Sequence, residues 1–143
     1  MGKALGLDVG TKTIGVAISD SLGIGANPIC TIKRHGVRRD VEKLMEIVKD
    51  RGVDRLVVGL PLELDDSESR SARLARQVGE ALGEAMDLKP IYIDERYSSV
   101  DAEEVLVAAD LSRKRRKQVI DQTAAVFILQ SYLNHGDWSG LNG

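Results

Sequence analysis

The sequence predicts an α/β protein built on a mixed five-stranded sheet of strand order 3-2-1-4-5, with helices on both faces. Three observations carry that prediction. In the first third, apolar residues recur with period two and are interrupted by short turns that contain glycine. Further on, stretches of helical period alternate with two short strand-like runs, the first of which, Arg55 to Leu60, is almost wholly apolar and suits a strand buried on both faces. The chain has 143 residues, close to the modal size of one domain, so residues 1–143 are expected to fold as a single unit.

Each element follows from local pattern. Ala4-Leu5-Gly6-Leu7-Asp8-Val9 sets large apolar side chains at 5, 7 and 9 against small or polar ones at 4, 6 and 8. Gly10-Thr11-Lys12 supplies a turn, and Thr13-Ile14-Gly15-Val16-Ala17-Ile18-Ser19 returns as a second strand. After Gly23 and Gly25, Pro28-Ile29-Cys30-Thr31-Ile32 is the third, which completes an antiparallel meander. Val37, Val41, Leu44, Met45 and Val48 then follow at helical spacing and stop at Gly52. Arg55 to Leu60 is the fourth strand, ended by Pro61, and an acidic loop around Glu63 to Ser67 precedes a helix from about Ser69 to Met86. Lys89 to Glu95 is the fifth strand, parallel to the fourth because a helix lies between them. Ser98 or Ser99 can cap a helix through Asp101 to Ala109. A long helix from about Lys117 to Asn134 closes the pattern, with Gly136 placed for a C-cap. Right-handed crossovers around a central first strand give the ribonuclease H-like topology.

Composition removes several function classes. No run of 18 apolar residues occurs and the N-terminus passes straight into patterned sequence, so a cytoplasmic protein without a membrane partner is expected. A single cysteine, Cys30, excludes an intramolecular disulfide, and with only His35 and His135 beside it a thiolate or imidazole zinc cage lacks ligands. Any metal must be held by oxygen. The aromatic residues Tyr92, Tyr97, Phe127, Tyr132 and Trp138 do not cluster as a base-stacking platform requires. The formal net charge is −2, but it is unevenly spread: residues 40–104 are net −8 and the two flanks together net +6. The basic charge gathers in Lys33-Arg34-His35-Gly36-Val37-Arg38-Arg39 and in Arg113-Lys114-Arg115-Arg116-Lys117. Such runs are solvated faces in many proteins and phosphate-binding surfaces in nucleic-acid enzymes.

Three carboxylates stand out. Asp8 lies within the first, central strand with Gly6 and Gly10 as its same-face neighbours, which leaves room for something to approach; a turn-initiating Asp at a strand end is the plainer alternative. Glu95 lies at the carboxyl end of the last strand, where ligands of open α/β sheets collect, although Asp94, Glu95 and Arg96 also read as a polar loop with a local ion pair. Asp121 falls on the apolar helix face of Ala125, Ile128 and Tyr132, and its alternative is a first-turn Asp stabilised by the helix dipole. Three carboxylates without histidine or cysteine favour magnesium or manganese, and phosphoryl transfer is the chemistry that follows. Lys12, Arg96 and the run Arg113, Lys114, Arg115, Arg116 and Lys117 are the candidate nucleic-acid contacts. Gly10-Thr11-Lys12-Thr13 does not complete a phosphate loop, and no dinucleotide fingerprint or nucleophile elbow is present, so no cofactor-binding site other than the metal is expected.

Taken together, Leu5 to Ala17, Val57-Val58-Gly59-Leu60-Pro61-Leu62, Asp94-Glu95-Arg96-Tyr97-Ser98-Ser99 and Ile120-Asp121-Gln122-Thr123-Ala124-Ala125 resemble the YqgF family, also called RuvX-like. These are bacterial candidate Holliday junction resolvases associated with pre-16S rRNA processing, and the resemblance spans residues 3 to 134. It implies a metal-dependent endonuclease whose acidic triad maps onto Asp8, Glu95 and Asp121, with Gly59 and Pro61 shaping the floor beside it. The implied substrate is structured nucleic acid, either the 5′ end of precursor 16S rRNA or a four-way DNA junction, with ribosomal particles among the implied partners and monomer and dimer both open. Tyr97-Ser98-Ser99 replaces the family's usual Leu-Thr-Thr, and Ser67-Glu68 stands where a glycine is usual. Two other classes stay in view: an ATP-binding domain of the actin and Hsp70 superfamily, suggested by Asp8-Val9-Gly10-Thr11, and a non-catalytic ribosome-assembly or transcription factor.

Overall fold

The computed structural model describes residues 2–60, 70–94 and 124–134. Strands β1 (Lys3–Val9), β2 (Thr13–Ser19) and β3 (Ala26–Lys33) precede helix α1 (Val37–Arg51), strand β4 (Val53–Leu60), helix α2 (Arg70–Met86) and strand β5 (Ile91–Asp94). Residues 124–134 are helical. The sheet has the expected order, β3-β2-β1-β4-β5. β1 pairs antiparallel with β2 and parallel with β4, which pairs parallel with β5, so the carboxyl ends of β1, β4 and β5 meet at one edge.

Strand alternation divides the core between two faces. Leu5, Leu7 and Val9, with Ile14, Val16, Val58, Leu60 and Tyr92, face Leu44 and Val48 of α1 and Ala72, Ala75, Val78 and Leu82 of α2. Leu5, Leu7, Leu44, Leu60 and Leu82 are wholly buried, each contributing roughly 1.5–3 kcal/mol over an exposed position. On the other face Ala4, Ala17, Val57 and Ile93 meet Ala125, Ile128 and Leu129 of the helical segment 124–134. Ala4, Gly6 and Ala17 on this second face are small, and the helix comes close to them. A Cβ built on Gly6 would lie 2.7 Å from Leu129 Cβ and 3.1 Å from the Ala125 carbonyl oxygen. Glycine is therefore required here by the backbone approach.

Gln130 fixes the direction of that helical segment. Its Nε2 donates to the Ile24 carbonyl at 2.9 Å and its Oε1 accepts from the Ala26 N–H at 2.9 Å. Ala26 pairs with Ser19, whose buried hydroxyl oxygen accepts from the Ala4 N–H at 2.8 Å, so residue 130 lies beside the start of β1. Ala125 and Leu129 lie over Gly6, further along. The lower-numbered end of the segment thus points toward the Asp8 end of β1.

Boundaries differ from expectation where proline or the sheet edge intervenes. β3 starts at Ala26 instead of Pro28, since an edge strand tolerates a proline and a register irregularity at Val16/Ala17 accommodates it. β5 starts at Ile91 instead of Lys89 because Pro90 has no N–H to pair. β4 gains Val53 and Asp54, since Lys3 and Ala4 of β1 extend the ladder to meet it. α1 ends as expected, with Gly52 left-handed at φ 66° and its N–H on the Val48 carbonyl. The expected helix 101–109, the first residues of the expected helix 117–134 and the Gly136 cap lie outside the described residues.

The β1–β2 hairpin is held from outside. Gly10 N donates to the Thr13 carbonyl at 2.8 Å, and neither Thr11 nor Lys12 has positive φ, so the turn lacks the primed geometry that matches strand twist unaided. Arg34 compensates. Its Nη1 donates to the Gly10 carbonyl at 3.1 Å and its backbone N–H to the Lys12 carbonyl at 2.9 Å. The same guanidinium donates through Nε to Asp40 Oδ2 at 2.9 Å, while Asp40 Oδ1 accepts from the His35 N–H at 2.9 Å. The two side chains are 9% and 2% exposed. One buried ion pair therefore ties the hairpin tip to the first turn of α1.

Two outcomes follow. Gly6→Ala should lower the unfolding free energy by about 1–3 kcal/mol in urea titrations, because the new methyl collides with Leu129 and the Ala125 carbonyl. Asp40→Asn should cost about 3–5 kcal/mol by leaving the Arg34 charge buried without its partner. A loss below about 1 kcal/mol would instead class the pair with exposed ones such as Arg38–Glu42 at 3.7 Å.

Candidate active site

Asp8 is a strand residue, not a turn initiator: it lies within β1 and its Cα partner on β2 is Gly15. On the other side Leu7 pairs with Val58, which sets Gly59 of β4 next along the row. Gly6 and Gly10 are its neighbours two residues away in each direction. Asp8 thus has glycine as its neighbour in four directions on a central strand, and its half-buried side chain lies on the face that carries the helical segment 124–134. The room at Gly6 is taken by that helix. At Gly10 an added Cβ would lie 3.2 Å from the Thr13 carbonyl.

Two further elements are directed at this end of β1. Ile93 of β5 shares Asp8's face, and β5 is described to Asp94, which pairs with Leu60 at the carboxyl end of β4. The helical segment approaches with its lower-numbered end leading, and its Ala125 and Ile128, expected to pack on the sheet, are wholly buried there. Glu95, Arg96, Asp121 and the run Arg113, Lys114, Arg115, Arg116 and Lys117 lie outside the described residues. Among the described residues no group of three or more His, Cys, Asp or Glu side chains forms a metal cluster.

Of the expected phosphate contacts, Lys12 is exposed at the hairpin turn. The basic run 33–39 divides. Lys33, His35, Arg38 and Arg39 are exposed, whereas Arg34 is turned inward onto Asp40 and Gly10 and is not part of a solvated surface. Arg34 and Asp40 are the residues that sequence reasoning missed as supports of the site. Their only local signal is an acid six residues after a base at a helix start. The partner that matters, the Gly10 carbonyl, is 24 residues away.

Other nucleophilic or titratable groups are set apart from Asp8. Burial raises the pKa of the Cys30 thiol, against the opposing charges of Arg51 and Lys43, which fits a structural cysteine. Tyr92 lies on the opposite face, packed with the α1 and α2 core, and its hydroxyl donates to Glu80 Oε1 at 3.1 Å. Burial first, then the Glu80 carboxylate, keeps that phenol protonated.

The family model described as "RuvX: Holliday junction resolvase" matches residues 2–135. A candidate pre-16S rRNA nuclease of Moorella thermoacetica is 48% identical over 141 residues, which cover 99% of this chain and 99% of that protein. A candidate pre-16S rRNA nuclease of Bacillus cytotoxicus is 46% identical over 134 residues, covering 92% of this chain and 98% of the relative. Among solved structures, T. thermophilus RuvC in complex with a Holliday junction substrate aligns with a TM-score of 0.62 at 12% identity, over 96% of this chain and 99% of that one. At that identity the likeness concerns the fold, and it agrees with the ribonuclease H-like strand order. With a family model spanning nearly the whole sequence and relatives this similar over their full length, the chain belongs to the RuvX family.

Proposed function

We propose that this protein is a divalent-metal-dependent endonuclease acting on structured nucleic acid, with the 5′ end of precursor 16S rRNA as its substrate. The observation that carries the reading is Asp8: a carboxylate with glycine as its neighbour in four directions, on the central strand, at the edge where three parallel strands end. A charged oxygen there is costly unless a cation or hydrogen-bond donors engage it. Membership in the RuvX family and the names of its relatives support the choice of chemistry and of substrate.

In this proposal Asp8, Glu95 and Asp121 form one acidic set. Its support is positional. Glu95 follows Ile93, on Asp8's face, by two residues, and Asp121 precedes by three residues the helical segment whose leading end is directed along β1 toward Asp8. A set made of carboxylates alone fits hard cations, magnesium or manganese. Such a cation supplies Lewis-acid polarisation of a phosphodiester and an activated water. The protein's own contribution is positional: Asp8 presents its oxygens from a rigid strand, and Arg34 holds the hairpin so that Lys12 stays beside the edge. Lys12, Arg96 and residues 113–117 are assigned to phosphates, where they offset the repulsion between an acidic site and a polyanion. A four-way DNA junction is the second reading, supported by the family description.

The deciding experiment incubates the protein with a precursor 16S rRNA 5′-leader and with a four-way DNA junction, each in magnesium, manganese or EDTA. Cleavage of the leader that needs metal is expected, and cleavage confined to the junction would transfer the assignment to the second reading. Asp8→Asn should lower the rate by more than about 100-fold while the protein stays folded, since even partners that only support metal ligands are worth about 10- to 100-fold. Glu84→Gln, an exposed change on α2, should leave the rate unchanged. In the absence of nucleic acid, magnesium or manganese at ten times its Kd should stabilise the protein by about 1.4 kcal/mol, seen as a melting temperature a few degrees higher, and Asp8→Asn should abolish that shift.

A further inference from the structure

The proposal that follows rests on the nucleic-acid reading above and concerns a surface on the other side of Asp8 from β4. Lys33 pairs with Thr13 in the β2–β3 ladder, and Arg34 N–H donates to the Lys12 carbonyl, so Lys12 and Lys33 sit side by side at the carboxyl end of β1. Ile32 points into the core shared with α1 and α2, so Lys33, its neighbour in the strand, rises from the opposite face, the one that bears Asp8. Gly36 then opens α1, and Arg38 and Arg39 stand exposed in its first turn.

These cations are poorly explained by folding. The first turn of a helix favours acidic side chains, yet here the one acid of the turn, Asp40, is buried and bound to Arg34 while two arginines face solvent. Among the described residues Lys12, Lys33 and Arg39 form no ion pair, and Arg38 faces only Glu42 at 3.7 Å with the two side chains 94% and 68% exposed. Four cations at one edge of a chain of net charge −2 make a local field able to attract a polyanion.

The spacing suits a nucleic-acid backbone. Asp8, Gly15 and Thr31 form one row across β1, β2 and β3, and Lys33 lies two residues beyond it. With strands about 4.8 Å apart and about 3.3 Å per residue, its Cα is on the order of 12 Å from that of Asp8. At about 3.4 Å of axis per base step, that distance corresponds to about three to four nucleotides. We propose that Lys12 and Lys33 on Asp8's face, with Arg38 and Arg39 at the start of α1 on the other face, form a phosphate-binding surface around the β3 side of this edge, in which Lys33 holds the substrate backbone about three to four nucleotides from the bond at Asp8. The contacts are to phosphates and carry no base specificity.

The test measures equilibrium binding of a labelled RNA duplex and a labelled four-way DNA junction over a range of salt, with calcium in place of magnesium. Lys33→Gln, Arg38→Gln and Arg39→Gln combined should flatten the slope of log affinity against log salt by about 2 to 3, at about 0.9 for each phosphate no longer neutralised. The charge-retaining combination K33R/R38K/R39K should keep the wild-type slope. Removal of the same number of charges from the rest of α1, K43Q/K49Q/R51Q, should change it little. Circular dichroism and thermal melts establish that each variant is folded. A wild-type slope in the first combination, or equal flattening by the control, would overturn the surface while leaving the nuclease reading intact. Failure of the wild-type protein to bind either probe would overturn both.

Discussion

A carboxylate on the central strand of a five-stranded sheet is the constraint to which the surrounding structure answers. A side chain of Asp8's charge can be tolerated on that pleat only if its neighbours give it space and polar or cationic company. Its neighbours on that face are glycines at 6, 10, 15 and 59, drawn from three different strands and the turn that joins two of them, and Gly6 makes room for Leu129 of the helical segment. Glycine in a strand weakens it, and here the weakness is offset on the other face, where Leu5, Leu7 and Val9 of the same strand sit in the core shared with α1 and α2. β1 therefore packs against α1 and α2 on one pleat and carries its candidate chemistry, beside the contacts of Ala4 and Gly6 with the helical segment, on the other.

Much of this is legible in the sequence because it depends on local period. Alternation in residues 4–9 predicts which pleat of β1 is apolar, the run 55–60 identifies a doubly buried strand, and Gly52 marks the end of α1. The apolar face of the last helix is likewise visible from Ala125, Ile128 and Tyr132. What is not legible depends on which distant backbone a residue meets. Gly6 reads as room for something to approach, but nothing local says that the occupant is Leu129. Arg34 reads as one cation in a basic run, since a charge count cannot tell an outward arginine from one bound to a carbonyl 24 residues earlier. At the site, the position of Asp8 and its glycine neighbours is readable, and the support given by Arg34 and Asp40 is not.

The Arg34–Asp40 pair also shows how one arginine can serve several partners. Its planar guanidinium presents donors in fixed directions, so Nε can hold a carboxylate while Nη1 holds a carbonyl. A lysine would gather its three N–H donors on one atom, without the fixed fork that here reaches a carboxylate and a carbonyl from two different nitrogens. Because its own backbone N–H also binds the turn, residue 34 fixes the hairpin at both the Gly10 and the Lys12 carbonyl.

The helix that roofs Gly6 has a consequence for how the protein opens. The core between the sheet and α1 and α2 is assembled from residues 3–94, whereas the second face depends on contacts such as Gln130 with Ala26, 104 residues apart. Such a long loop costs more entropy to close than the hairpins, and among the described residues it is met by the apolar cluster of Ala4, Ala17, Val57 and Ile93 under Ala125, Ile128 and Leu129. Undocking of the helical segment would bare Gly6 with the core between the sheet and α1 and α2 still in place, so amide protons of that segment should exchange with solvent at a lower free energy than those of β1 and β4.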